Sequence, residues 1–332
     1  MDRYLVGCVA AVALLAGACD QAGPETPSVP PESPAGESPA PTATVPLTPT
    51  PSPTPSPTPT PEPEPVEFDA DAAVETIRWL AEEIGPREGT SEEFHEAAAE
   101  LEERFAGFGY DVTQVPVPVP AGNSWGVDVP DGESANVIAD PPGFDPAEPH
   151  VIIGAHLDTV PQAPGAEDNA SGVAVLMELA RMASEEDVPV PVRFIAFGAE
   201  EPRGEGDDLH HFGSQQYVAD MPDDEQEALL AMVSLDRVGV GAEHVPVCTG
   251  GTGTTSIRDD LVEAAEDADV PAETCENRAS DHWSFEKADL PAARLGSVPF
   301  EGYHSPEDLP SVIDTDQLDR VGHLMWAWLT DL

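Results

Sequence analysis

Val151-Ile152-Ile153-Gly154-Ala155-His156-Leu157-Asp158 decides the fold. Its apolar run reads as a buried strand, and the carboxyl end of that strand delivers His156 and Asp158. Open α/β sheets bind their ligands in the crevice beyond such strand ends. Ten residues on, Gly165-Ala166-Glu167-Asp168-Asn169-Ala170-Ser171-Gly172 opens a helix and brings Asp168 to the same crevice. A strand over Val190–Gly198 ends in Ala199-Glu200-Glu201, and Met232–Leu235 ends in Asp236-Arg237. Late in the chain, Gly302-Tyr303-His304-Ser305 supplies a second imidazole. Any one of these residues has an ordinary explanation as a cap or surface group. Their convergence carries the weight: three strand ends and one strand-to-helix loop present ligand-type side chains at one sheet edge. Two His and three carboxylates form a mixed nitrogen and oxygen set that suits zinc, with a spare Glu for proton transfer.

The surrounding pattern predicts an α/β domain over residues 67–332, with a mixed, mostly parallel sheet and helices on both faces. Ala73, Ile77, Leu80 and Ile84 mark a helix from Asp69 to Ile84 that stops at Gly85-Pro86. Thr90 and Glu93 predict a capping box before a helix ending near Gly107. Strands are expected at Asp111–Val119, Ala135–Ala139 and His150–Ala155. Further helices are expected near Gly172–Ala183, Glu225–Ala231, Ile257–Asp267 and Asp316–Leu329.

Residues 1–66 have a different texture. Arg3, an apolar stretch from Tyr4 to Ala18, and Leu15-Ala16-Gly17-Ala18-Cys19 resemble a bacterial lipoprotein signal, so residues 1–19 are expected to direct export and Cys19 to carry lipid. Seventeen of the 38 prolines lie between Pro24 and Pro65. Residues 20–66 therefore read as a disordered, extended stalk. The protein is expected outside the cytoplasm, free or anchored to the envelope, with membrane contact only through Cys19.

The formal charge of −51, from 64 acids and 13 bases, excludes nucleic acid as a partner, because phosphate recognition needs Lys and Arg. Residues 1–66 hold seven acids and one base, so the excess belongs to the folded part. A salty habitat and an acidic, well-solvated surface both remain open as its origin. Four Cys in 332 residues exclude a disulfide scaffold, although Cys248 and Cys275 suit a bridge closing a loop of about 28 residues.

Taken in order, several motifs resemble the zinc-dependent aminopeptidase family of peptidase clan MH, which includes secreted bacterial leucyl aminopeptidases and aminopeptidase Y. They are Asn136-Val137-Ile138, Gly154-Ala155-His156-Leu157-Asp158, Asp168–Gly172, Ala199-Glu200-Glu201, Leu235-Asp236, Ser280-Asp281-His282 and Tyr303-His304-Ser305. The resemblance covers Asn136 to Leu332. It implies a zinc exopeptidase fold and two Zn2+ per chain, one held by His156 and Asp236, the other by Glu201 and His304, with Asp168 shared. It further implies Glu200 as general base, Asp158 as partner of the far nitrogen of His156, and Tyr303 as a donor to the oxyanion. Substrates would be peptides with a free amino terminus, and a monomer is the expectation.

One segment departs from the family pattern. Pro202 to Phe212 intervenes before Gly213-Ser214 and reads as an exposed loop carrying Arg203, His210 and His211, a candidate lining for a specificity pocket. The 12-residue step from His156 to Asp168 leaves no room for the longer insert of related carboxypeptidases and deacylases. A glutaminyl cyclase of the same fold and a metal-free binding ectodomain complete the alternatives.

Overall fold

The computed structural model describes residues 65–332, so the expected signal, Cys19 and nearly all of the stalk lie outside the described residues. In chain order the elements are α1 (Ala70–Arg78), α2 (Glu92–Gly107), β1 (Asp111–Val119), β2 (Gly122–Ser124), β3 (Val127–Val129), β4 (Gly132–Asp140), β5 (His150–His156), α3 (Ser171–Glu185) and β6 (Val192–Phe197). There follow α4 (Phe212–Asp220), α5 (Asp223–Ala228), β7 (Leu229–Leu235), β8 (Val245–Thr249), α6 (Ser256–Asp267), β9 (Ala272–Glu276), α7 (His282–Lys287), β10 (Ala292–Leu295) and α8 (Thr315–Thr330).

Eight strands form one sheet in the order β1-β4-β6-β5-β7-β10-β8-β9, while β2 and β3 make a separate hairpin. The central strands β6, β5, β7 and β10 run parallel, and antiparallel partners flank them. Alternation along β5 explains why its apolar run is continuous. Val151, Ile153 and Ala155 face α3 within the core cluster that α1, α2, α6 and α8 also enter, whereas Ile152 joins Ile195, Phe197, Met232 and Phe285 on the opposite face. Gly154 sits where a Cβ would lie 2.4 Å from the Phe197 ring, so only glycine lets that ring close over β5.

Most expected elements are present, with local corrections. α1 is capped by Asp69, which accepts from the Ala72 amide, and it widens into a π-type turn over Trp79–Ile84 before Gly85. The cap of α2 is Ser91, not Thr90: Ser91 Oγ accepts from Phe94 N at 3.1 Å, and Thr90 Oγ1 instead donates to Glu88. β7 begins at Leu229 rather than Met232, because pairing with β5 reaches back to His150 and shortens the preceding helix to Asp223–Ala228. Helices α4 and α7 were not anticipated; both pack short segments onto the second face of the sheet.

Cys248 on β8 and Cys275 on β9 face each other in register and form a disulfide between the two last strands at one edge of the sheet. The bond spans 27 positions that include α6. Replacing both cysteines with serine should therefore lower unfolding stability by about 3 kcal/mol under oxidising conditions. Urea unfolding identical to wild type would contradict this.

Candidate active site

Because β6, β5 and β7 are adjacent and parallel, their carboxyl ends lie side by side. His156 is the last residue of β5, Glu200 and Glu201 follow β6, and Asp236 follows β7. Asp168 arrives from the loop before α3, and His304 from the loop between β10 and α8. All six side chains are buried. The two oxygens of Asp168 are divided between the imidazoles: Oδ1 lies 3.2 Å from His156 Nε2 and Oδ2 lies 3.0 Å from His304 Nε2. Asp236 Oδ2 is 3.9 Å from the same His156 nitrogen, and Glu201 Oε1 is 3.4 Å from His304 Nε2. Donor atoms of His156, Asp168 and Asp236 fall within 4.8 Å of one another, as do those of Asp168, Glu201 and His304. Glu201 Oε1 and His304 Nε2 have no hydrogen-bond partner among the described residues. Buried donors of this kind, left facing one another, fit a cation between them.

The side chains around these six fix their aim. Asp158 accepts the backbone amides of Glu200 at 2.9 Å and Glu201 at 3.1 Å, so one carboxylate orients the Glu-Glu pair. His156 Nδ1 faces the Asp158 backbone carbonyl at 3.2 Å and its carboxylate at 3.6 Å. Arg294, fully buried on β10, holds Asp236 Oδ1 at 3.0 Å and leaves Oδ2 turned to His156. Asp308 accepts the amides of Glu167 and Asp168 at 2.7 and 3.0 Å. Asn169 donates to Leu235 O and accepts from Gly172 and Arg237 amides, tying the Asp168 loop to the end of β7. Arg87, also fully buried, donates to the carbonyls of Leu157, Pro164 and Gly165 behind the site. Arg87, Arg294 and Asp308 were missed in the sequence; burial of a guanidinium among backbone carbonyls leaves no local pattern.

The mouth is aromatic. Tyr303 stacks on His304 at 3.6 Å, with the Arg237 guanidinium 4.3 Å above the Tyr303 ring centre. Trp125, at the tip of the β2–β3 hairpin and 55% exposed, meets His304 edge-on at 4.4 Å. Pro202, His210 and His211 line the other wall. The expected exposed loop is corrected in part: residues 205–208 are exposed, but His211 and Arg203 are buried. Arg203 pairs with Glu88 and donates to Pro130 O, and His211 Nε2 lies 3.1 Å from Glu200 Oε1.

Residues 136–329, more than half of the chain, match the sequence profile of peptidase family M28. The chain belongs to that family. Aminopeptidase YwaD of Bacillus subtilis is 32% identical over 187 residues, 53% of this chain and 40% of that protein. The probable lipoprotein aminopeptidase LpqL of Mycobacterium tuberculosis is 33% identical over 108 residues, 32% of this chain and 18% of its own. The chain thus spans less than half the length of these relatives. Among solved structures, the zinc aminopeptidase BSAP from Bacillus subtilis superimposes with a TM-score of 0.72 at 20% identity, covering 81% of this chain and 96% of that one. A glutaminyl cyclase from Bacteroides thetaiotaomicron, solved with N-acetylhistamine, gives 0.66 at 21% identity, covering 80% and 99%. Both share the fold of this M28 member.

The protein's own charges strain this M28 site. Burial pushes Glu201 up to about 8, and the nearby Asp168 charge adds to it. Burial would also raise Asp168, but the His156 and His304 imidazoles against its two oxygens hold it well below the carboxylate range. Burial lowers His304 less than the nearby Asp168 and Glu201 carboxylates raise it, leaving it at about 10. Glu200 is pulled down to about 2 against its burial, by the His156 and His211 charges. Tyr303 is raised by burial and by the Asp168 and Glu201 charges, so its phenol stays protonated.

Asp281 and His282 of the Ser-Asp-His motif belong to neither donor triad. His282 is buried on α7 with Nε2 2.7 Å from Asn277 O, and burial plus the Arg294 charge lowers its imidazole to about 3. Its folded pKa lies below the unfolded value, so its contribution to stability is complete above about pH 6.5 and is lost as pH falls toward 3. His282→Gln keeps a donor for Asn277 but does not titrate. The stability advantage of wild type over this variant should shrink by about 2 kcal/mol between pH 6.5 and 5 in urea unfolding. A gap independent of pH would contradict the buried neutral imidazole.

Proposed function

We propose that this chain is a metallo-aminopeptidase that hydrolyses the first peptide bond of substrates with a free amino terminus, using two zinc ions. The observation carrying this reading is the division of the Asp168 carboxylate between His156 and His304, which makes two donor triads sharing one residue. His156 and Asp236 would hold one ion, Glu201 and His304 the other, and Asp168 both. Zinc held there supplies a Lewis acid for the scissile carbonyl and lowers the pKa of water toward neutrality.

The remaining chemistry belongs to the chain. Glu200, ionised and set beside the triads, takes a proton from the attacking water and passes it to the leaving amine. Asp158 keeps Glu200 and Glu201 in register through their amides, and its backbone carbonyl accepts the His156 Nδ1 proton, which leaves Nε2 to coordinate. Tyr303, protonated at the mouth, donates to the oxygen on which charge develops. Export through residues 1–19 and anchoring at Cys19 complete the proposal; LpqL, a relative, carries lipoprotein in its name. Among the described residues no helix is long and apolar enough to cross a membrane.

The test is a panel of aminoacyl-nitroanilides, acetylated counterparts and glutaminyl peptides, assayed with and without chelator. Chelator-sensitive cleavage of free but not acetylated amino termini is expected. Cleavage of blocked termini would favour a deacylase, and pyroglutamate formation without a released amino acid would favour a cyclase. Glu200→Gln should keep its zinc and lose on the order of 10²–10⁴ in rate. Asp168→Ala should lose both ions, read by metal analysis of the purified protein; two ions per chain in that variant would refute a shared ligand.

A further inference from the structure

The segment that departs from the family pattern returns to the site at its far end. Residues 202–210 are closed off by three backbone bonds: Arg203 N to Leu209 O at 2.8 Å, His211 N to Glu200 O at 2.8 Å, and Phe212 N to Ala199 O at 2.9 Å. The base of the loop is pinned elsewhere too, since Arg203 pairs with Glu88 and its carbonyl accepts from Asn123 N at 3.0 Å. His211 therefore grips Glu200 at two points, backbone to backbone and Nε2 to Oε1 at 3.1 Å. Its φ of 54° lies in the left-handed region that few non-glycine residues adopt. His211 belongs to neither donor triad, and its Nδ1 makes no hydrogen bond among the described residues. The ring's one directed polar contact is thus the Glu200 carboxylate, with the Asp281 charge also bearing on the ring.

We infer that His211 is the positioning residue of the general base: its Nε2–H donates to Glu200 Oε1 and keeps the other carboxylate oxygen aimed at the water that is to be deprotonated. This rests on the reading of Glu200 as base. A carboxylate on a flexible two-carbon stem samples several rotamers, and one charge-assisted hydrogen bond selects among them. An insertion that looks like surface decoration would then be part of the catalytic apparatus, acting on kcat and not on substrate affinity.

The experiment compares His211→Leu, which removes the donor, with His211→Gln, which keeps an N–H donor on a side chain of similar reach. Both are measured as zinc-loaded enzyme, for kcat, KM, zinc content and melting temperature, beside Glu200→Gln. His211→Leu is expected to lose about 10–100-fold in kcat, with KM within about twofold and zinc content unchanged. His211→Gln should recover most of that loss. Full activity in His211→Leu, equal impairment in His211→Gln, or a loss falling on KM or zinc content instead of kcat would each overturn the inference. An active Glu200→Gln would instead refute the general-base reading, so the two failures are distinguishable.

Discussion

Four carboxylates, Asp168, Glu200, Glu201 and Asp236, are buried in one crevice, and everything around them answers to that crowding. Ionised groups taken out of water cost several kcal/mol each unless paired and hydrogen-bonded. The chain provides partial compensation on every side. Arg294 takes one oxygen of Asp236, His211 one of Glu200, and the His156 and His304 imidazoles share Asp168. The arrangement is directional: the donor atoms of His156, Asp168 and Asp236 cluster on one side of the Asp168 carboxylate, and those of Asp168, Glu201 and His304 on the other. In the proposed dizinc reading, a dication at each point would offset the charge that the protein's own groups offset only in part.

The fold makes this crowding possible. Parallel neighbours β6, β5 and β7 end at one level, so His156, Glu200, Glu201 and Asp236, which follow or close these strands, meet although 35 to 80 positions separate one strand's residues from the next. The loops are then tied down by groups outside the donor triads. Asn169 joins the Asp168 loop to β7, Asp308 holds the two amides at its tip, and Arg87 gathers three carbonyls beneath it.

Legibility in the sequence followed the physics of each part. Strands buried on both faces leave continuous apolar runs, so β5 and β6 and the residues at their ends were readable with no coordinates. The cap of α2 was misread by one residue because Thr90 and Ser91 are chemically alike and only Glu88 decides which hydroxyl turns to the helix. The 202–212 segment was misread more seriously. Its Gly, Asp and His content resembles a solvated loop, yet two backbone bonds to Ala199 and Glu200 fold its end inward. Arg87 and Arg294 were unreadable for another reason: their partners are carbonyls and a carboxylate supplied by remote segments, which no local pattern announces.

The claim that everything else depends on is that Asp168 is shared between two metal positions. Diffraction data collected on either side of the zinc absorption edge, from crystals of the zinc-loaded enzyme, test it directly. Two anomalous peaks are expected, one between His156, Asp168 and Asp236 and one between Asp168, Glu201 and His304. A single peak, or peaks away from the Asp168 carboxylate, would contradict the account.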